Sequence, residues 1–177
     1  MSFSRDLLDQ AELLANKEPR RPKQASLRRA VSTAYYALFH LMIEDSARAL
    51  SPSSPAALRK VVQRAFQHGL MKTTCKDFVQ ANTAIMNNKQ SALPTAVETM
   101  LAFPFDADLI TVLTAFVDLQ ESRHKADYDL TEQWNRLDAL NKILMVREAF
   151  AAWSNIRKTP NVAVFMTSLL IRKDWGR

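Results

Sequence analysis

Four polar residues near the end of a predicted helix have the side-chain types that metal-independent RNA cleavage uses. Arg123 and Asp127 are four positions apart, as are His124 and Tyr128, so each pair follows one face of a helix and the two faces adjoin. Such cleavage needs a proton-transferring group near the attacking ribose 2′-hydroxyl and a cation on the phosphate, tasks suited to histidine and arginine. The segment therefore predicts a candidate site in which Arg123 holds phosphate.

A second polar set lies on a long predicted helix much earlier in the chain. Arg29, Thr33, Tyr36 and His40 are spaced by four, three and four, which places them on one side of that helix. The apolar stripe beside them consists of Val31, Ala34, Leu38, Leu41 and Met42. Because an unpaired buried polar group costs about 1–3 kcal/mol, the polar stripe needs partners, and we predict that it meets the Arg123 segment.

The two sets together give the predicted site residues. The catalytic candidates are Arg123, His124 and His40. The substrate-binding candidates are Tyr36, Asp127, Tyr128 and Arg29. Either histidine would transfer protons, and either Tyr36 or Tyr128 would orient or stack the substrate.

A purely structural role competes with this hypothesis at each residue. A tyrosine pair on a helix usually packs in a core with its hydroxyl groups satisfied, and a lone histidine such as His40 is usually part of the scaffold. Arg123 and Asp127 can form an internal ion pair that fixes helix register. Residue by residue we favour the structural role, because ionic networks within a fold imitate functional sites.

The spacing of apolar residues and the positions of prolines and capping residues predict helices throughout the chain. They cover about 4–16, 23–50, 55–68, 74–86, 106–128 and 131 to just before Pro160, with short pieces within 95–103 and in the tail. Gly69 is predicted just past the third helix, and Thr131 is predicted to cap the last major one. The architecture that follows is an all-α, up-and-down four-helix bundle with additional short helices. We predict a single domain over 1–177, with its core at about 4–157 and a tail at 158–177.

Composition is consistent with a polyanionic partner. The chain has 24 Lys and Arg against 18 Asp and Glu, a net charge of +6. A basic cluster surrounds the start of the second helix and consists of Lys17, Arg20, Arg21, Lys23, Arg28 and Arg29. Cations there oppose the helix dipole, so the cluster is either a phosphate-binding patch or an incidental solvated surface, and we favour the second.

Several function classes lack their sequence signatures. The single cysteine, Cys75, excludes an internal disulfide and fits a reducing compartment, and no Cys/His cluster has zinc spacing. The sequence contains no glycine-rich phosphate loop, no His-Glu-x-x-His motif and no Gly-x-Ser-x-Gly motif. It also shows no signal peptide and no apolar run long enough to span a bilayer. We therefore predict a cytoplasmic protein without a metal, a cofactor or a membrane association.

Two segments carry a resemblance to a known family. The run AVSTAYYALFH at 30–40 resembles the paired-tyrosine helix of small bacterial and archaeal HEPN-domain proteins. The run RHKADY at 123–128 is similar to the Arg-x-x-Ala-Asp-Tyr segment of the same subgroup, and the order of helices over about 4–157 also matches. In two respects the chain departs from this family. Ribonuclease members have a histidine four to six residues from the arginine, which this chain lacks after Arg123, and many relatives have arginine where this chain has Thr33.

The resemblance implies an all-α bundle that often dimerises and that acts as an RNA-cleaving toxin, an RNA-associated defence component or a partner of a minimal nucleotidyltransferase. The first hypothesis is therefore a HEPN-like RNA- or nucleotide-associated protein, including a ribonuclease of a toxin–antitoxin or defence system. The second is a non-catalytic helical interaction module that docks onto a nucleotidyltransferase or another protein. RNA, an antitoxin or nucleotidyltransferase-like protein and a second copy of the chain are the candidate partners. The apolar tail at 162–171 is a further reason to expect a homodimer.

Overall fold

The computed structural model describes residues 2–175 of the chain and is all-α, which confirms the predicted fold class. The helices are α1 Phe3–Asn16, α2 Gln24–Leu50, α3 Ala56–Ala65, α4 His68–Met86, α5 Thr95–Glu98, α6 Ala107–Tyr128, α7 Arg136–Ile156 and α8 Pro160–Ile171, followed by a 3₁₀ turn over Arg172–Asp174. None of the helices within residues 2–175 combines the length and the hydropathy that a bilayer span requires.

The chain divides into two compact units. The first unit consists of Met1–Leu41 and Ala115–Ala151, and the second consists of Met42–Thr114 and Ala152–Arg177. The helices α2, α6 and α7 contribute residues to both. All seven predicted site residues belong to the first unit. The single domain predicted over 1–177 stays a prediction.

The first unit is organised around the buried face of α2. Tyr35 is fully buried, and its ring centroid lies 5.6 Å from that of Phe116 on α6. The buried aliphatic side chains of this unit include Leu27, Val31, Leu38, Leu119, Ile143 and Val146. Each fully buried side chain of this size contributes about 1.5–3 kcal/mol of transfer free energy, so apolar burial fixes where α2 and α6 run.

The second unit has an aromatic core of its own. The Phe78 ring of α4 lies 5.3 Å from Phe165 of α8 in an edge-to-face arrangement and 6.0 Å from Phe105. The tail helix α8 therefore packs within the chain through buried side chains that include Phe165 and Leu169, whereas Ile171 is exposed. Because these apolar side chains are already covered, the tail gives no independent support for a dimer.

The start of α7 differs from the prediction. Thr131 was predicted to cap this helix, but the helix begins at Arg136. The Asn135 side chain accepts a hydrogen bond from the Asp138 backbone N–H (2.9 Å), and the Asp138 carboxylate accepts one from the Asn135 N–H (3.0 Å). This reciprocal capping box satisfies two N–H groups at once, whereas Thr131 is held by Asp129 instead.

The break between α3 and α4 also lies elsewhere than predicted. The third helix ends at Ala65 rather than about His68, and Gly69 lies inside α4 rather than past a helix end. The buried Phe66 and the exposed Gln67 are extended at the break. Burial of the Phe66 ring accounts for the change of chain direction, so no left-handed glycine is needed there.

Candidate functional site

A cleft of about 480 Å³ opens between α2 and α6 in the first unit. Five of the seven predicted site residues line it: Arg29, Tyr36, Arg123, Asp127 and Tyr128. Arg28, Ala25 and Ala126 complete the lining. The structure thus brings together the two sequence segments that were predicted to meet.

Arg123 is the centre of the polar network in this cleft. Its Nη2 donates a hydrogen bond to the Tyr36 hydroxyl oxygen (3.0 Å), and its Nε lies 2.7 Å from Asp127 Oδ2. The second contact is an ion pair rather than a directional hydrogen bond, because the Nε–H does not point along it. The guanidinium carbon also lies 5.6 Å from the Tyr36 ring centroid and 5.3 Å from that of Tyr128, within cation–π range.

These neighbours keep Arg123 charged. Partial burial disfavours the cation, but the adjacent Tyr36, Asp127 and Tyr128 outweigh that effect, so the pKa of Arg123 is raised above its ordinary value. The side chain remains 21% exposed. A permanent cation held in a fixed orientation and still open to solvent is suited to binding an anionic group.

Asp127 is positioned from two sides. Its Oδ1 accepts a hydrogen bond from the Ser32 hydroxyl (2.5 Å), and its Oδ2 faces Arg123. Ser32 is itself buried. The carboxylate therefore has one orientation at the cleft wall, where it lies directly beside the cation.

Arg28 binds the protein backbone rather than a ligand. Its Nη1 donates to the Ala126 carbonyl oxygen (2.9 Å), near the end of α6, and its Nη2 donates to the Glu132 carbonyl oxygen (2.5 Å) in the following loop. The last carbonyl groups of a helix lack partners within it, and a cation there also suits the helix dipole. Arg28 thus ties the loop after α6 to α2, which makes it a positioning residue for the cleft.

Sequence reasoning missed Arg28 and Ser32. The stripe predicted to face the Arg123 segment was Arg29, Thr33, Tyr36 and His40. The contacts instead come from Arg28, Ser32 and Tyr36, which follow each other at intervals of four. That spacing was present in the sequence, but the serine carried no charge that would draw attention to it.

Arg29 lies on the cleft wall and is exposed. It makes no hydrogen bond or ion pair with the other residues in the described part of the chain, so its charge is available. The connector before α2 is held in place by Glu18, whose carboxylate accepts hydrogen bonds from the Lys23 N–H (3.3 Å) and the Ser26 hydroxyl (3.0 Å). The connector's own cations, Lys17, Arg20, Arg21 and Lys23, are all exposed.

Neither predicted catalytic histidine lines the cleft. His124 is exposed, and its ring packs against that of Tyr128 at an angle of 49°, with ring centroids 5.1 Å apart. His40 is half-buried, one helical turn beyond Tyr36, and its ring meets Phe3 edge to face at 4.8 Å. Each histidine lies beside a tyrosine of the cleft wall: the His124 ring is 5.1 Å from that of Tyr128, and the His40 ring is 6.5 Å from that of Tyr36.

Another cavity of about 430 Å³ opens between α6 and α7 in the same unit. Its acidic side chains include Asp118, which pairs with Lys142, and Asp138, which caps α7. No three His, Cys, Asp or Glu side chains within residues 2–175 come together as a metal site requires. Asp118, Lys142 and Asp138 therefore have structural partners. The cleft brings together five of the predicted site residues, which makes it the better candidate site.

Comparisons of the chain with protein-family models, with curated proteins and with solved structures give no significant match. The HEPN resemblance therefore rests on the segments at 30–40 and 123–128 and on the order of the helices.

Proposed function

We propose that this protein is a HEPN-like RNA- or nucleotide-binding protein whose cleft between α2 and α6 holds a phosphate beside a base. The observation that carries the proposal is the position of Arg123, a fixed cation between two tyrosine rings at the wall of an open cleft. A phosphate and an unstacked base are the two groups that such a combination recognises in single-stranded nucleic acid.

Two cations are available for the phosphate. Arg123 uses Nη2 and Nε in contacts with Tyr36 and Asp127, which leaves Nη1 without a hydrogen-bond partner in the described chain. Arg29 is exposed on the same cleft wall. Arginine forms two parallel hydrogen bonds to phosphate oxygens readily, and charge-assisted bonds of this kind are about twice as strong as neutral ones.

Tyr128 is the side chain on which a base would stack. It lines the cleft, yet 63% of its surface is exposed. Its ring centroid lies 5.3 Å from the Arg123 guanidinium carbon and 5.1 Å from the His124 ring centroid. Exposing a large aromatic ring beside a cation is the usual arrangement of a base-stacking platform, and stacking on such a ring contributes about 1–3 kcal/mol per base.

The HEPN assignment is part of this proposal. It is supported by the contact between the paired-tyrosine helix and the Arg-x-x-Ala-Asp-Tyr segment, made through Tyr36 and Arg123. It is further supported by the all-α class of the chain. With it we propose an RNA-directed role in a toxin–antitoxin or defence system, an antitoxin or nucleotidyltransferase-like partner, and a homodimer. Sedimentation at micromolar concentration tests the dimer, and a monomer would contradict it.

A salt titration of RNA binding tests the binding function. The logarithm of the affinity for single-stranded RNA should fall linearly with the logarithm of salt concentration, with a slope of roughly −0.7 for each phosphate contacted. Arg29→Ala should make this slope shallower by about one contact, whereas Arg5→Ala, an equal loss of charge at an exposed position on α1, should lower affinity less. An absence of RNA and nucleotide binding at low salt would contradict the proposal.

Ribonuclease activity is the stricter form of the proposal. Arg123 would stabilise the charged phosphate, and His124 would move the proton of the 2′-hydroxyl, since its ring lies 5.1 Å from the wall residue Tyr128, nearer than the 6.5 Å between His40 and Tyr36. If so, Arg123→Ala and His124→Ala should each abolish cleavage of RNA by the purified protein, and His40→Ala should leave His124-dependent cleavage in place. Cleavage that survives both of the first two substitutions would contradict these roles.

The second candidate function, a non-catalytic interaction module, is favoured by a different observation. No histidine among the described residues lines the cleft, and Arg123 is already engaged by Tyr36 and Asp127. Under this alternative the network fixes helix positions, and the exposed Tyr128 contacts a protein. Weak RNA binding that is insensitive to salt and to Arg29→Ala would favour the module.

A further inference from the structure

We infer that Asp127 selects ribose over deoxyribose, so that the ligand of the cleft is RNA or a ribonucleotide and not DNA. The inference rests on the proposed binding function and narrows it to one sugar. It follows from the juxtaposition of a hydrogen-bond acceptor, Asp127, and a cation, Arg123, only 2.7 Å apart at the wall of one cleft.

The Asp127 carboxylate has acceptor capacity left. A carboxylate offers about four lone-pair positions, and the contacts with Ser32 and Arg123 occupy one on each oxygen. The side chain is 17% exposed and lines the cleft. The remaining acceptor positions can therefore receive an O–H group from a molecule that enters the cleft.

A ribonucleotide presents the groups that match this pair. Its 2′-hydroxyl, a donor, and its 3′-phosphate, an anion, are carried on neighbouring carbon atoms of one ring. With the phosphate on Arg123, the adjacent hydroxyl comes to the carboxylate that is fixed beside that arginine. Deoxyribose supplies the phosphate and no donor, so the acceptor positions of the carboxylate that Ser32 and Arg123 do not use lose water and stay unfilled next to an anion.

The direction of the selectivity follows from this asymmetry. A site built to bind a hydroxyl strongly rejects the analogue that lacks it, because its own polar group then loses water and gains nothing. A carboxylate beside a phosphate site also weakens the binding of any anion that brings no donor. Asp127 should therefore lower the affinity for DNA as well as raise that for RNA.

Three single-stranded probes with one base test the inference on the full-length protein. Fluorescently labelled oligo(U), oligo(dU) and 2′-O-methyl oligo(U) of equal length differ only at the 2′ position, and binding is measured by anisotropy. We expect oligo(U) to bind at least about tenfold more tightly than either of the others, as for a hydrogen bond to a charged acceptor. The methylated probe keeps the ribose ring shape but has no donor, so it separates recognition of the hydroxyl from recognition of sugar conformation.

Three substitutions test whether the preference for RNA over DNA depends on Asp127. Asp127→Ala should reduce the RNA-to-DNA affinity ratio to near one, with DNA binding unchanged or tighter. Asp127→Asn keeps the side-chain shape and one acceptor, so it should give an intermediate ratio and guards against a folding defect in the alanine variant. Asp9→Ala, which removes an equal charge from an exposed position on α1, should keep the wild-type ratio.

The outcomes of these experiments distinguish ribose selection by Asp127 from the proposed binding function of the cleft. Equal binding of the three probes by the wild-type protein overturns the inference and leaves the binding function standing, as does tight binding of the methylated probe. Loss of RNA and DNA binding alike in an Asp127→Ala protein with a wild-type melting temperature also overturns it. Failure of the wild-type protein to bind any of the three would instead contradict the proposed function.

Discussion

Two aspartate carboxylates, one in each unit, each have an arginine and a hydrogen-bond donor as neighbours. In the first unit Asp127 faces Arg123 at 2.7 Å and accepts a hydrogen bond from Ser32. In the second unit Asp45 accepts a hydrogen bond of 2.9 Å from the indole Nε1 of the buried Trp153. Arg48 and Arg157 approach Asp45 only to 3.7 and 3.6 Å.

The difference lies in what each network leaves available. Asp45 uses its closest contact to satisfy a buried indole. The side chains of its two arginines are 60% and 49% exposed, and ion pairs of exposed side chains contribute about 0–1 kcal/mol. Asp127 instead fixes an arginine at the wall of a cleft, beside an exposed tyrosine. An arginine–carboxylate pair is therefore no sign of a site by itself. The sign is unused hydrogen-bonding capacity that faces a cleft.

The largest effect is expected in the Asp45 network. Trp153→Ala removes a buried indole and leaves the carboxylate without its best donor, so the free energy of unfolding should fall by about 3–5 kcal/mol. Urea unfolding measures this change. Burial raises the pKa of the Cys75 thiol, so thiol labelling should be slow in the folded wild-type protein and much faster in the variant. An unchanged unfolding midpoint would show that Trp153 is not part of the core.

The next largest effect is expected at Arg123, the arginine that Asp127 fixes at the cleft wall. Arg123→Ala removes a charge-assisted phosphate contact, which should weaken RNA binding by about 1.5–3 kcal/mol, or roughly 10–100-fold. Arg123→Lys retains the charge without the planar fork and should recover only part of the affinity. Anisotropy with labelled RNA measures both. If Arg123→Ala binds RNA as tightly as the Arg5→Ala control does, Arg123 does not contact the phosphate.

Tyr128 should separate binding from stability. Tyr128→Ala removes a stacking surface and should weaken RNA binding by about 1–3 kcal/mol. The free energy of unfolding should change by only about 0.5 kcal/mol, because the side chain is mostly exposed. Tyr128→Phe keeps the ring and should bind like the wild type. A large fall in melting temperature in the alanine variant would assign Tyr128 to the scaffold.

The smallest effect is expected at Arg48. Its contacts with Glu44 and Asp45 are exposed ion pairs along one helix, so Arg48→Ala should cost no more than about 1 kcal/mol and should lose even that at high salt. Denaturant unfolding at low and high salt measures the difference. A cost comparable with that of Trp153→Ala would show that exposed arginines contribute to the Asp45 network as much as the indole does.

The sequence predicted the fold correctly where the spacing of apolar residues agreed with the need of distant polar side chains for partners. The all-α class followed from the helical spacing of apolar residues. The contact between Tyr36 and Arg123 was predicted because polar groups on a largely buried helix need partners. The sequence was less informative about which side of α2 faces α6. Ala30, Val31, Ala34 and Tyr35 are all fully buried, so α2 is covered around much of its circumference and no single polar stripe marks its orientation.

The remaining errors concern helix ends, where several residues compete for one role. Thr131 and Asn135 are both good capping residues, and only the position of Asp138 decides that Asn135 is used. Glycine is common just past the end of a helix, which is why Gly69 was predicted there. The chain turns at Phe66 instead, because the Phe66 ring is buried. The first choice follows from a local spacing, Asn135 with Asp138 three residues later, that the sequence already contained. The second depends on a tertiary contact, the burial of Phe66, which local sequence does not contain. Whether either histidine acts in the cleft depends on such contacts as well.

The two hydrogen bonds of Arg28 to carbonyl oxygens have a consequence for mutational scanning. A screen that scores residues only by lost RNA binding would rank Arg28 beside Arg29, because both line the cleft. Yet Arg28 would fail by releasing the loop after α6, and Arg29 by losing a charge from the wall. A thermal melt measured alongside the screen would distinguish them, because only the Arg28 substitution should lower the melting temperature.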